Sequence, residues 1–335
     1  MNSKERLERY LSGQDVDRRP NLTIVGSVVT RYTGIDIERY CKDPKAMVES
    51  AVKAARDLRL DFVQIASDLV RSAEGLGSLV NYAPDKLPSV GRPAIDDISK
   101  AASLKPLKTK NVKRLDDLVE ACAYAQDLEG DIHPMTLATG PVTIAGNTRG
   151  VEDFLVDLFG DEAACAGLLD IATETILDFV GELAGVGAKY VYVADPVASL
   201  VSPSQYESLV LPRHSLIFSR MAELGIAGRL HMCGNTQAIL PCSSRCGAKI
   251  IDIDHAVDYP KALESVEGRC ILNGNIDPVA DVFSAEPDHV RAAILAVADS
   301  IGRARGMFMP GCELPTATSR ANVIAISEAL DEIGG

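Results

Sequence analysis

Short apolar runs alternate along this chain with longer stretches whose apolar positions recur every three to four residues. The first spacing suits strands buried in a sheet and the second suits amphipathic helices. The runs predict strands at Leu22–Gly26, Phe62–Ala66, Met135–Thr139, Tyr190–Ala194, Arg229–Met232, Lys249–Ile253, Cys270–Asn273 and Met307–Met309. Helical periodicity covers Pro44–Leu58, Leu115–Leu128, Val151–Leu183, Pro203–Leu224, Thr236–Cys246 and Glu286–Gly302. Strands that alternate with helices pair in parallel through right-handed crossovers. Eight such strands predict an α/β fold closed as a (β/α)8 TIM barrel, although an open doubly wound sheet would give a similar string.

One connection is longer than a crossover needs. Between Leu69 and roughly Leu115 the chain reads GLGSLVNYAPDKLPSVGRPAI, rich in Gly and Pro. The expectation is an insertion after the second strand, 69–115, lying over the barrel mouth. With no linker or internal repeat, residues 1–335 form a single predicted domain, a length that one barrel accommodates. Hydrophobic residues at 47% and charged residues at 24% fit a globular protein with a large core. A formal charge of −13 repels phosphate backbones and anionic lipid, which argues against nucleic-acid or membrane partners. The opening MNSKERLERYLSGQDVDRRP reads as an amphipathic helix and not as a signal peptide, so a cytoplasmic location is expected. The eight cysteines are then reduced thiols or metal ligands.

In a barrel of this kind the chemistry sits where strands end. The predicted strand ends carry Asp195, His231-Met232-Cys233-Gly234-Asn235, Asp252 and Asp254, Asn273-Gly274-Asn275, and Pro310-Gly311-Cys312-Glu313. His231 and Cys233 are two apart on an extended strand end, so their side chains share one side and can hold one ion. Cys312, after the last strand, is the candidate third ligand. One imidazole and two thiolates favour Zn2+ over Mg2+ or Ca2+, and three ligands leave a position for a reacting group. An H-x-C pair alone is a weak signal, since buried cysteines are common core residues. Cys242 and Cys246 share a helix face and read as packing, as do Cys41, Cys122, Cys165 and Cys270. Asp195 is a candidate for orienting substrate or a zinc ligand, and equally for capping a helix. Asn235 and Asn275 are candidate substrate-binding donors, although Asn beside Gly is first a turn residue.

HMCGNTQAILP, ADPVAS with LVSP, TGPVTIAG, ILNGNIDP and MPGCELP together resemble the uroporphyrinogen decarboxylase superfamily. Within it they are most similar to the zinc branch, the methylcobamide:coenzyme M and related corrinoid-dependent methyltransferases. The resemblance implies His231, Cys233 and Cys312 as zinc ligands, with Asp254 as a further acidic ligand where some relatives carry Glu. It also implies Glu74 as a residue of the mouth and a corrinoid as co-substrate. The implied reaction moves a methyl group between a corrinoid protein (methylcobalamin) and a small thiol or a methylated substrate such as a methyl ether. A corrinoid-holding D-x-H-x-x-G is not present, since Asp131-Ile132-His133 lacks the glycine, so the corrinoid is expected on a transient partner protein. The alternative is a metal-free decarboxylase of tetrapyrrole metabolism. Against it, NLTIVGSVVTRYTG offers only Arg31 where those enzymes carry an arginine-rich segment for substrate carboxylates. A third reading is a non-catalytic barrel that only binds a corrinoid protein or stores zinc.

Overall fold

The computed structural model describes residues 1–128 and 130–335. Seven strands form one curled, wholly parallel sheet: β1 (Phe62–Ile65), β4 (His133–Thr139), β5 (Tyr190–Ala194), β6 (Ala227–His231), β7 (Ile250–Asp252), β8 (Ile271–Asn273) and β9 (Gly306–Met307), in that spatial order. Each strand pairs with the next in the chain except where β2 (Leu79–Ala83) and β3 (Lys86–Arg92) intervene as a separate antiparallel hairpin. β1, β4 and β5 are buried at every position, as expected for a parallel sheet covered by helices.

The expected first strand is not part of this sheet. Leu22, Ile24 and Val25 are buried as their apolar character demands, but their backbone makes few ladder bonds. Asn21 C=O accepts from Asp61 N–H and Ile24 C=O from Leu314 N–H. The N–H groups of Val25 and Gly26 donate instead to the Gln64 side-chain oxygen, at 3.0 and 3.2 Å. The segment thus touches both β1 and the stretch after β9, with a side-chain amide doing what a strand backbone would otherwise do.

Other departures from the periodicity have local causes. The helix expected over Val151–Leu183 divides into Val151–Gly160 and Glu162–Gly185, because the Asp161 side chain accepts from Ala164 N–H and starts a new helix. Pro203–Leu224 is interrupted by a π-turn at Tyr206–Val210, just before Pro212, which has no N–H to continue the ladder. Thr236–Cys246 shrinks to Leu240–Ser243 and a 3-10 turn. Helices that were not expected include Pro141–Arg149, Tyr259–Val266, capped by Asp258, and Arg320–Ile333, capped by Ser319. Among the described residues, no helix is long and apolar enough to cross a membrane.

At the sheet end away from the strand C-termini, Asp61 is fully buried. It binds Arg6 at 2.6 Å, Arg18 at 2.7 Å and Asn21 N–H at 2.6 Å. This carboxylate ties the opening helix Ser3–Leu11 and the 21–26 segment to β1. Removing it takes the shared buried partner from two guanidinium groups, which keep, as carboxylates, only the partly exposed Asp17 (Arg6) and Asp331 (Arg18). Asp61→Ala is therefore expected to destabilise the fold by about 3–5 kcal/mol. Urea unfolding followed by circular dichroism measures this, and a loss below about 1 kcal/mol would show that the tie is dispensable.

Candidate metal centre

Parallel pairing sets the floor of the site. In register across the sheet lie Ala194, His231, Asp252, Asn273 and Met307, one from each of β5 to β9. Side chains level with one another on neighbouring strands point the same way, so His231 and Asp252 meet. Arg229 is two residues before His231 on β6 and faces the same interior. It is 1% exposed, and its Nε lies 2.9 Å from both oxygens of the fully buried Asp252. Asp252 Oδ2 also lies 2.8 Å from His231 Nδ1, and Oδ1 accepts from the Asn273 amide at 2.8 Å. Burial alone would favour the neutral acid, but Arg229 and His231 outweigh it and hold the Asp252 carboxyl below its ordinary range.

With Asp252 accepting from Nδ1, His231 turns Nε2 toward the mouth. That atom lies 3.2 Å from Cys233 Sγ and 3.7 Å from Cys312 Sγ, and the two sulfurs are 2.9 Å apart. Burial opposes charge on His231, yet Asp252 and Cys312 raise its pKa to about 9. Cys312, hydrogen-bonded by Cys233 and then by His231, is lowered to about 5, while Cys233 is pushed up by the neighbouring thiolate. Thiolate character on Cys312 is what a soft-metal site requires. Among the described residues, these three are the group of His, Cys, Asp or Glu whose ligand atoms all lie within 4.8 Å of one another. One imidazole and two thiols fit Zn2+ by chemistry and by convergence.

The remaining candidates are more dispersed. Asp254, 6% exposed, accepts from Gly234 N–H at 2.9 Å and Ala256 N–H at 3.2 Å, and faces His255 Nδ1 at 2.8 Å. It braces the loop that carries Cys233 and is outside the three-residue group. Gly311 makes the opposite approach possible: a Cβ there would lie 2.7 Å from the Asp254 Cα and the His255 nitrogen. Asp195 is fully buried; it takes hydrogen bonds from Thr143 N–H and Oγ1, both at 2.7 Å, and faces His214 Nε2 at 3.0 Å. Its own N–H donates to the His231 carbonyl, so it steadies the β6 end from behind. Glu74 pairs with Arg114 and Tyr82. Asn235 accepts from Gln237 N–H on the surface, and the Asn275 amide donates to the Val257 carbonyl. His133 lies at the start of β4, bound to Glu8, at the far end of the sheet. Cys41, Cys122, Cys165 and Cys246 are buried, and burial raises their thiols, Cys41 to about 11 and Cys246 to about 12.

A cavity of about 420 Å3 opens above the three ligands. Its wall includes Tyr192, Leu137, Val197 and Ile24, with Leu87 to Val90 of the hairpin opposite. Gln64 also lines it and, like Tyr192, was not expected from sequence, while Glu313, placed at a strand end by the sequence, had been given no role. Glu313 directly follows a candidate ligand, which was the available signal.

The family described as uroporphyrinogen decarboxylase (URO-D) matches residues 2–333. The chain belongs to that family. The methylcobamide:CoM methyltransferase MtbA of Methanosarcina acetivorans is 28% identical over 96% of this chain and 95% of its own length. A uroporphyrinogen decarboxylase of Nocardia farcinica is 24% identical over 83% of this chain and 78% of its own. A solved methyltransferase from Methanosarcina mazei shares the fold, with a TM-score of 0.85, 22% identity and 99% of each chain covered. A B12-independent methionine synthase from Shewanella matches at a TM-score of 0.59, with 13% identity and 87% of each chain covered.

Asp252→Asn removes the charge that orients His231 while keeping the shape. We expect zinc affinity to fall about 10- to 100-fold. Competition against a chromophoric chelator measures it, and an unchanged affinity would show that His231 needs no such support.

Proposed function

We propose that this protein is a zinc-dependent methyltransferase that moves a methyl group between a corrinoid, carried by a transient partner protein, and a small thiol or methylated substrate such as a methyl ether. The observation that carries the reading is the convergence of Cys312 on the His231 and Cys233 pair, about eighty positions earlier in the chain, at the floor of one cavity. The named methylcobamide:CoM methyltransferases among the relatives support methyl transfer as the reaction class and a corrinoid as co-substrate. When bound, zinc would supply a Lewis acid that holds the substrate sulfur or oxygen and lowers the pKa of a thiol.

The chain's own residues would do the rest. Asp252 keeps the Nδ1 proton of His231 in place, leaving Nε2 as a donor atom. Two thiolates neutralise a dication, so a substrate thiolate stays nucleophilic. Asp195 and Asp254 position the chain on either side of the ligand pair, Asp254 being also available as a further ligand. Glu74, Asn235 and Asn275 are proposed to shape the mouth. The apolar cavity wall excludes water from the reacting centre. We read the whole as a single (β/α)8 barrel closed by the 21–26 segment, with 69–115 as an insertion over the mouth.

The decarboxylase reading is less favoured by the cavity. Among its lining residues none is Arg or Lys, and Arg31 is exposed on a short helix outside it. A substrate rich in carboxylates needs several cations.

Zinc-loaded protein is expected to transfer methyl from methylcobalamin to members of a panel of thiols, or to demethylate methoxy-aromatics in the presence of reduced cobalamin. His231→Ala and Cys312→Ala should each lower the rate at least about 100-fold. Metal analysis after purification without added zinc provides a second check. Protein with no stoichiometric metal and full tolerance of Cys233→Ser would return the decarboxylase reading to first place.

A further inference from the structure

The charges around the cavity do not cancel. Besides the Tyr192 phenol, which burial keeps neutral, five ionisable side chains line it: Asp68, His231, Cys233, Cys312 and Glu313. Asp68 is answered by Arg114 and by Arg71, whose Nε is 3.7 Å away. His231 and the two cysteines, holding a dication as two thiolates, sum to zero. Glu313 is what remains; burial and the neighbouring Cys312 raise its carboxyl above the ordinary range, so a cation placed beside it is what would hold it ionised. Its carboxylate accepts from Ser27 N–H at 2.8 Å and Ser27 Oγ at 3.1 Å, both neutral donors, and no ion pair of the described residues includes it. It is seated against Gly26, whose φ is +30° and where a Cβ would lie 2.0 Å from Glu313 Oε1. Glycine at 26 is what leaves room for this carboxyl group.

A substrate whose reacting sulfur or oxygen lies at the ligand triad must place the rest of itself in this cavity. An anionic tail would meet no cation and one carboxylate, whereas an ammonium would meet a charge partner in a mostly apolar wall. Resting on the methyl-transfer reading above, we propose that Glu313 selects a methyl donor or acceptor with a positively charged tail, such as an amino thiol or its methylated form. It excludes anionic thiols such as coenzyme M. In the thiol direction the substrate loses its S–H proton to solvent and the sulfur forms the S–CH3 bond. The Co–CH3 bond of methylcobalamin breaks with its electron pair left on cobalt, so charge and electrons balance.

Three thiols of equal length test this: 2-aminoethanethiol, 2-mercaptoethanol and 2-mercaptoethanesulfonate. Calorimetric Kd values are measured on zinc-loaded protein, alongside KM and kcat for methylation by methylcobalamin. The expected order is aminoethanethiol tightest and the sulfonate weakest, with at least about a tenfold spread between the ends. Glu313→Gln should collapse that spread through Kd and KM, and comparing variant with wild type removes differences in thiol acidity. Equal affinities, a sulfonate that binds best, or a spread that Glu313→Gln leaves intact would overturn the proposal while methyl transfer stands. Zinc-loaded protein that binds and methylates none of the three, and demethylates no donor, would overturn the methyl-transfer reading and this one with it. If the variant does not fold, wild-type Kd values recalculated per thiolate, from the solution acidity of each thiol, decide the matter.

Discussion

A single carboxylate, Asp252, sits between a guanidinium and an imidazole at the bottom of the site. Without Arg229 beneath it, a fully buried aspartate would take up a proton and lose its hold on His231. Without Asp252, Arg229 would be a buried cation facing two methionine sulfurs and the rings of Phe62 and Tyr192, with no carboxylate. The pair is stable because each group relieves the other's desolvation, and the benefit reaches the mouth as a fixed imidazole. Buried pairs of this kind are weak evidence for net stability. Here the pair is better understood as a positioning device, since a ligand nitrogen must be aimed before a metal can be held.

The same logic extends outward from the floor. Asp195 holds the turn after β4 and faces His214, while its N–H caps the end of β6. Asp254 holds the turn that follows Cys233, and Gly311 lets the Cys312 turn approach that loop. Three buried carboxylates therefore surround the ligands without belonging to the three-residue group. Each satisfies backbone or side-chain donors that a loop at the sheet edge would otherwise leave exposed to an apolar interior. Glu313 differs from them, because both of its hydrogen bonds, from Ser27, reach the same oxygen and the residue lines the cavity.

Much of the sheet was legible because strands buried on both faces leave continuous apolar runs that periodicity detects. Tyr190–Ala194 agrees end to end, and the six other sheet strands fall within two or three residues of their expected bounds. The 22–26 run shows the limit of that signal. Its burial follows from composition, but whether its N–H groups meet a strand or the Gln64 amide depends on a residue about forty positions away. Likewise the helix break at Asp161 turns on one cap inside an otherwise continuous apolar pattern. Asp252 was visible as a polar residue on a strand, yet nothing local says that it faces His231.

By itself, the sequence determined the alternation of elements and the three soft ligand types, since both are properties of residue identity and near-neighbour spacing. It also determined the acidic balance of the chain. Strand register was decided only in three dimensions. Register brings His231 level with Asp252, turns Cys233 toward Cys312, and leaves Glu313 as the carboxylate without a cation beside the cavity. Those are pairings between residues about 20 to 80 positions apart. Pairing at such separations is fixed by how the sheet curls and packs, which no local pattern encodes.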